Sequence, residues 1–322
     1  MSARRARLLA ASVAFLAFLG LGAPAGGAPK PEIIGPGVVS TAEDELGGTV
    51  SPDGETLYFE RSIPPHYLYV LYESHRTRDG AWGPPEVLSF SGRYRDTDPV
   101  LSPDGQTMLF ASDRPVGGVD RHHFYVWRVR RTAKGWSEPE MLPGPVNDGF
   151  NQVFCSIAAN GNLYFTSSRK GGGYDIYRSR LVGGKYQSAE DLGPALNDPS
   201  IWTFESTIAP DESYMLIGSF GRQPSYGSSD LYISFNRNGL WGKPQNLGPA
   251  VNTPMRDYSP RISADRKWLY FTSERLEEPP ALPLDLASFE KLVRGTYNTL
   301  GNLYRYPLEE ILEAAKAEVP GP

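Results

Sequence analysis

Short apolar and aromatic runs recur along the chain with strand-like alternation, each bounded by a turn. Ser51-Pro52-Asp53-Gly54 precedes Leu57-Tyr58-Phe59, and Ser102-Pro103-Asp104-Gly105 precedes Met108-Leu109-Phe110. Degenerate copies place Leu163-Tyr164-Phe165, Met215-Leu216-Ile217 and Leu269-Tyr270-Phe271 after Ala158, Ala209 and Ser263. The equivalent positions 51, 102, 158, 209 and 263 are separated by 51 to 56 residues. Proline presets φ at the turn, and Asp-Gly or Asn-Gly reverses the chain between antiparallel strands. A third strand follows in each copy, as in Tyr67–Val70, Phe124–Trp127, Asp175–Arg178, Asp230–Ile233 and Asn302–Arg305. A fourth begins near Trp82, Trp136, Tyr186 or Trp241 and ends in a Gly- or Pro-containing turn. Five copies of a four-stranded unit at this spacing predict an all-β fold, a five-bladed β-propeller.

The fifth unit lacks its fourth strand. Pro31-Glu32-Ile33-Ile34-Gly35-Pro36-Gly37-Val38 matches Pro244-Gln245-Asn246-Leu247-Gly248-Pro249-Ala250-Val251 position by position, so the N-terminal strand is expected to close the ring. Closure hides the edge that an open array would expose. The propeller then spans 31–306, with an insertion at 277–301. There Leu286, Phe289, Glu290 and Val293 predict one short helix. Residues 307–322 form a C-terminal helix and tail, and Leu308, Ile311, Leu312 and Ala315 make an apolar stripe that should pack on the rim.

Residues 1–25 have the layout of a secretory signal peptide: Arg4, Arg5 and Arg7, then an apolar run from Leu8 to Leu21, then Ala23-Pro24-Ala25. The alternative is a retained anchor, but the run is shorter than the roughly 20 residues a membrane helix needs. The expected location is periplasmic or secreted, with no integral membrane segment after processing and a monomeric ring.

The chain carries 32 basic and 37 acidic residues, net −5, which gives no general attraction to nucleic acid. Cys155 is the only cysteine, so no intrachain disulfide forms. It reads as a small buried residue. His66, His75, His122 and His123 show no zinc-ligand spacing, and no phosphate loop, dinucleotide fingerprint or serine-hydrolase elbow occurs.

The units SPDGETLYF, LSPDGQTMLFASDR, GNLYFTSSRKGGGYDIYRS and YSPRISADRKWLYFTSER resemble the WD40-like PD40 β-propeller repeat, found in the TolB protein and many exported bacterial proteins. The resemblance covers roughly Pro31 to Tyr306. It implies a non-enzymatic scaffold whose partner is a protein or a cell-envelope glycan.

Candidate chemistry follows from the repeat register. The strand before each turn should face the central channel. Glu45, Asp96, Gln152, Thr203 and Asp257 lie six residues before the equivalent serine, and Gly47, Asp98, Phe154, Glu205 and Ser259 lie four before it. Strict alternation would put both sets on one side, as a polar ring at one channel mouth. The ligand-binding candidates are Glu45, Asp96, Asp98, Glu205 and Asp257. No cofactor is expected, with calcium held by Asp96, Asp98, Glu205 and Asp257 as the alternative. The alternative function is glycoside hydrolysis, with Asp98 and Glu205 as the carboxylate pair. Arg61, Arg114, Arg169, Arg222 and Arg275 recur after the second strand. A repeated guanidinium predicts a structural bridge, with Asp175 and Asp230 as candidate partners.

Overall fold

The computed structural model describes residues 29–64, 67–118, 123–171, 173–278 and 280–317. The expected signal peptide, His66 and His122 lie outside them.

Five antiparallel four-stranded blades are arranged around an axis. From the axis outward, blade 1 contains Asp44–Val50, Thr56–Ile63, Leu68–His75 and Glu86–Val87. Blade 2 contains Asp96–Leu101, Thr107–Ser112, Tyr125–Thr132 and Glu140–Met141. Blade 3 contains Gln152–Ile157, Leu163–Ser167, Asp175–Ser179 and Glu190–Asp191. Blade 4 contains Trp202–Ile208, Tyr214–Phe220, Ser229–Arg237 and Gln245–Asn246. Blade 5 contains Asp257–Ile262, Trp268–Ser273 and Asn302–Pro307, and its outer strand is Glu32–Ile33. Glu32 opposes Arg305 and Ile33 opposes Tyr304, as Gln245 opposes Ile233 and Asn246 opposes Tyr232 in blade 4. The expected closure is therefore present, and the inner strands of successive blades abut around the whole ring.

The turn chemistry explains why the unit repeats. In the first copy the Ser51 hydroxyl donates to Asp53 and accepts from the Thr56 N–H at 2.9 Å, and Asp53 accepts from the Glu55 N–H at 3.0 Å. Ser102 and Ser263 repeat this with Asp104 and Asp265. Each turn needs a left-handed fourth residue, and Gly54 (φ 80°) and Gly105 (φ 68°) supply it without a Cβ penalty.

The core consists of one apolar layer per blade seam. Tyr58, Leu71 and Leu88 of blade 1 pack on Met108, Phe110 and Trp127 of blade 2. At the closing seam Ile34, Tyr270 and Leu303 pack on Leu57 and Phe59. Burying each such side chain stabilises the fold by roughly 1.5–3 kcal/mol. Helix α1 (Leu286–Val293) forms in the insertion, its N-cap Asp285 accepting from the Ser288 N–H at 2.7 Å. Helix α2 (Leu308–Ala317) buries Leu308, Ile311 and Ala315 against the layer between blades 4 and 5, as the stripe predicts.

Candidate functional site

The repeated arginines form a structural lock. In Ser112-Asp113-Arg114, Ser167-Ser168-Arg169 and Ser273-Glu274-Arg275, the serine hydroxyl accepts from the arginine backbone N–H and from Nε. This aims the guanidinium back at the start of its own blade's inner strand. Arg114 meets Asp96 at 2.6 Å, and Arg275 meets Asp257 at 3.1 Å. Blade 3 has Gln152 at that position, and Arg169 reaches Asp148 instead, at 3.1 Å. Arg222 donates to Thr203 Oγ1 at 3.2 Å. Arg61 occupies the serine's own register position and meets Glu45 at 3.2 Å. Arg114, Arg169 and Arg275 each also donate to a preceding loop carbonyl, of Phe90, Val146 and Val251.

Asp175 and Asp230 are not the partners of these arginines. Asp175 faces Lys170 at 3.5 Å, and Asp230 accepts from the backbone N–H groups of Tyr226 and Gly227 and from Asn246. What each guanidinium meets on the third strand is an aromatic ring, of Tyr72, Trp127, Tyr177, Tyr232 or Tyr304, whose centroid lies 4.5–5.8 Å from the guanidinium carbon.

The six- and four-before positions do not share a face either. A β-bulge interrupts every inner strand, between Leu46 and Thr49, Thr97 and Val100, Val153 and Ser156, Thr203 and Glu205, and Tyr258 and Arg261. A bulge breaks the alternation on which the parity argument rests. Asp98 (φ 58°), Phe154 (φ 50°) and Ser259 (φ 50°) are left-handed at the bulge without being glycine.

The turned-out bulge groups are bound by the neighbouring blade. Glu60 of blade 1 accepts from the Asp98 N–H at 2.6 Å, and Asp98 of blade 2 accepts from the Phe154 N–H at 3.3 Å. Glu205 of blade 4 accepts from both the N–H and the hydroxyl of Ser259. Thr272 of blade 5 accepts from the Gly47 N–H at 3.2 Å. In blade 4 the bulge comes one residue earlier, and Thr166 of blade 3 donates to the Phe204 carbonyl at 3.0 Å. Each of the five seams therefore has at least one such bond. Where the inner strand supplies the carboxylate, the equivalent second-strand residue is small: Ala111 beside Asp98, Gly218 beside Glu205. A Cβ on Gly218 would meet a Glu205 carboxylate oxygen at 3.1 Å. Elsewhere the second strand supplies the polar group, as Glu60, Thr166 or Thr272.

Arg261 enters this cluster from blade 5. It is 1% exposed, its Nη1 donates to the Pro260 carbonyl at 2.9 Å, and its Nη2 lies 4.0 Å from Asp98. Its Nε and Nη2 make no hydrogen bond. One guanidinium thus faces Glu60, Asp98 and Glu205, all out of solvent. Burial pushes Glu205 up to about 7, with the Asp98 charge adding to it, and pushes Asp98 up to about 6 against the pull of Arg261. Burial and Asp98 together hold Glu60 well above the usual range. Glu45, also buried, is pushed up to about 7. Cys155 nearby is fully buried, and its thiol rises to about 12, which leaves it unreactive.

The axis is narrow on the turn side, where all five inner strands line a well of about 50 Å³, with Thr49, Val100, Ser156, Thr207 and Ile262 in its wall. Toward the opposite mouth Phe154 meets Phe204 edge-on at 6.0 Å, and Phe204 stacks on Phe220 at 4.8 Å. Among the described residues, no group of three or more His, Cys, Asp or Glu is placed to hold a metal ion. No helix among them is long and apolar enough to cross a membrane.

Glu60, Arg261 and Trp202 are absent from the sequence-based candidates. Each departs from its own repeat position: Glu60 stands where the other blades have Ala111, Thr166, Gly218 and Thr272. Arg261 aligns with Thr49, Val100, Ser156 and Thr207, and Trp202 with Asp44, Arg95, Asn151 and Arg256. Trp202 is 56% exposed and borders a groove of about 510 Å³ between blades 3 and 4.

Comparison with protein-family models gives no match, nor does comparison with curated proteins. Among solved structures, a protein of unknown function from Dyadobacter fermentans is similar at 15% identity and TM-score 0.48, over 77% of this chain and 80% of that one. A putative TolB from Agrobacterium tumefaciens is similar at 17% identity and TM-score 0.38, over 64% and 81%. The α-L-arabinofuranosidase PaAbf62A from Podospora anserina is similar at 13% identity and TM-score 0.48, over 87% and 98%. At these identities the likeness concerns the propeller fold alone.

Proposed function

We propose that this chain is an exported, non-enzymatic recognition scaffold of the PD40 kind, which binds a protein or a cell-envelope glycan on a propeller face. The observation that carries this reading is the commitment of Asp98 and Glu205. Both are at least 98% buried, and each accepts a backbone N–H from the next blade. Glycoside hydrolysis needs two carboxyl groups flanking a sugar linkage with access to water. Neither carboxylate lines the axial well, whose volume is about 50 Å³. A rigid disc whose loops converge on one face binds with little ordering cost, which suits recognition.

The test is an assay of the wild type, Asp98→Asn and Glu205→Gln on a panel of polysaccharides and aryl glycosides. Absence of turnover by all three is expected, together with recovery of a partner by co-purification from the exporting cell. Robust hydrolysis abolished by either substitution overturns the proposal. Both substitutions remove ionisation while keeping approximate shape, so lost turnover would report chemistry rather than unfolding.

A further inference from the structure

The groove between blades 3 and 4 differs from the axis in having room and unspent chemistry. Its volume of about 510 Å³ falls within the range of small-molecule sites, and Trp202, Tyr174, Asp175, Asp198, Ser200 and Lys170 are among its lining residues. The Trp202 indole is braced by Phe220, their centroids 6.1 Å apart and planes tilted by 51°, and Phe220 stacks in turn on Phe204. It is therefore a fixed aromatic plate with more than half its surface in water.

The polar groups favour an uncharged, hydroxyl-rich ligand. Asp198 Oδ1 accepts from the N–H and hydroxyl of Ser200, at 2.9 and 2.7 Å, and these bonds hold its carboxyl below the usual range. Its other oxygen makes no hydrogen bond among the described residues. The carboxylates Asp175 and Asp198 repel an anion, and Lys170, held by Asp191 and Asp175, offers it no free ammonium. A pyranose with equatorial hydroxyls has the complementary form, a flat C–H face for the indole and hydroxyl donors at its edge for carboxylates.

We infer that this groove binds a neutral oligosaccharide, with a pyranose ring stacked on Trp202 and a hydroxyl donating to Asp198. The inference rests on the recognition reading above and assigns it a place and a ligand class.

The test uses the full chain and follows the Trp202 indole N–H resonance, identified by its loss in Trp202→Phe, during titration with chitotriose and with cellotriose. A saturable shift is expected with at least one sugar, at a Kd below ~10 mM. Trp202→Ala should weaken binding at least about tenfold with unchanged melting, Trp202→Phe should weaken it less, and Asp198→Asn should weaken it several-fold. The binding of the variants is read from ligand-observed spectra. No saturable shift with either sugar, or binding unaltered in Trp202→Ala, overturns the groove assignment and leaves the recognition reading in place. New sugar signals from hydrolysis of the titrant, lost in Asp98→Asn or Glu205→Gln, overturn the recognition reading itself.

Discussion

The axis and the groove between blades 3 and 4 are built from the same kinds of residue: carboxylates, aromatic rings and one basic side chain. On the axis Glu60, Asp98 and Glu205 each accept a bulge N–H from a neighbouring blade, and none of the three lines the axial well of about 50 Å³. In the groove Trp202 is largely exposed, and Asp198 keeps an oxygen unbonded beside about 510 Å³ of open volume. The difference lies in spare bonding capacity. A buried carboxylate already holding a backbone donor is part of the frame, because taking it away leaves that donor unsatisfied. A braced, exposed indole contributes little to the frame and is available to a ligand.

The largest effect is expected where the frame is closed by the chain terminus. Deleting residues 31–38 removes the outer strand of blade 5 and Ile34 from the closing seam. It should cost roughly 3–5 kcal/mol or more and cause association between chains, measured by thermal melting and sedimentation. A monomer with unchanged melting contradicts the closure.

Next comes Asp98→Ala. It orphans the Phe154 N–H and removes the nearest carboxylate to the buried Arg261. Denaturant unfolding should show a loss of roughly 3–5 kcal/mol, as for breaking one side of a buried ion pair. A loss below about 1 kcal/mol would put Asp98 in the same class as a surface residue.

A smaller effect concerns pH. The folded values of Asp98, Glu205 and Glu45, about 6 to 7, lie above their ordinary values. Stability from keeping these groups neutral is fully present below their unfolded values, near 4, and is lost as pH rises through 6 to 7. Unfolding free energy should therefore fall from pH 5 to pH 8, by up to about 1.4 kcal/mol per pH unit for each proton released. Glu205→Gln should flatten the curve, and an unchanged slope in that variant contradicts the assignment. The smallest effect on stability belongs to the groove. Trp202→Ala should change unfolding free energy by less than about 1 kcal/mol.

Much of the frame was legible in the sequence. The turn serine and aspartate, the aromatic strand after them and the match of 31–38 to 244–251 each have a local physical cause, and all three appear in the structure. The apolar stripe of α2 was legible for the same reason. The axis was read less well because a period-2 argument assumes an unbroken ladder. Nothing in Asp98, Phe154 or Ser259 announces a left-handed backbone, so alternation alone puts Asp96 and Asp98 on one face. The arginine repeat was visible, but the serine that orients it makes its contact through a backbone N–H that sequence does not show. Glu60, Arg261 and Trp202 were readable as departures from their repeat columns, a signal that comparison of whole units hides.

The most direct test of the axial account exchanges one blade's solution for another's. Blade 5 has Ser259 and Thr272 where blade 4 has Glu205 and Gly218. A double-mutant cycle would measure the unfolding free energies of Glu205→Ser, Gly218→Thr and the pair. Glu205→Ser alone should leave the Ser259 N–H without its acceptor, and Gly218→Thr alone should crowd the Glu205 carboxylate. Together the threonine hydroxyl can accept in place of the carboxylate, as Thr272 does for Gly47. The account predicts that the pair is more stable than the sum of the single losses by roughly 1–3 kcal/mol. Additive losses would contradict it, and would mean that Glu205 is held on the axis for something other than the frame.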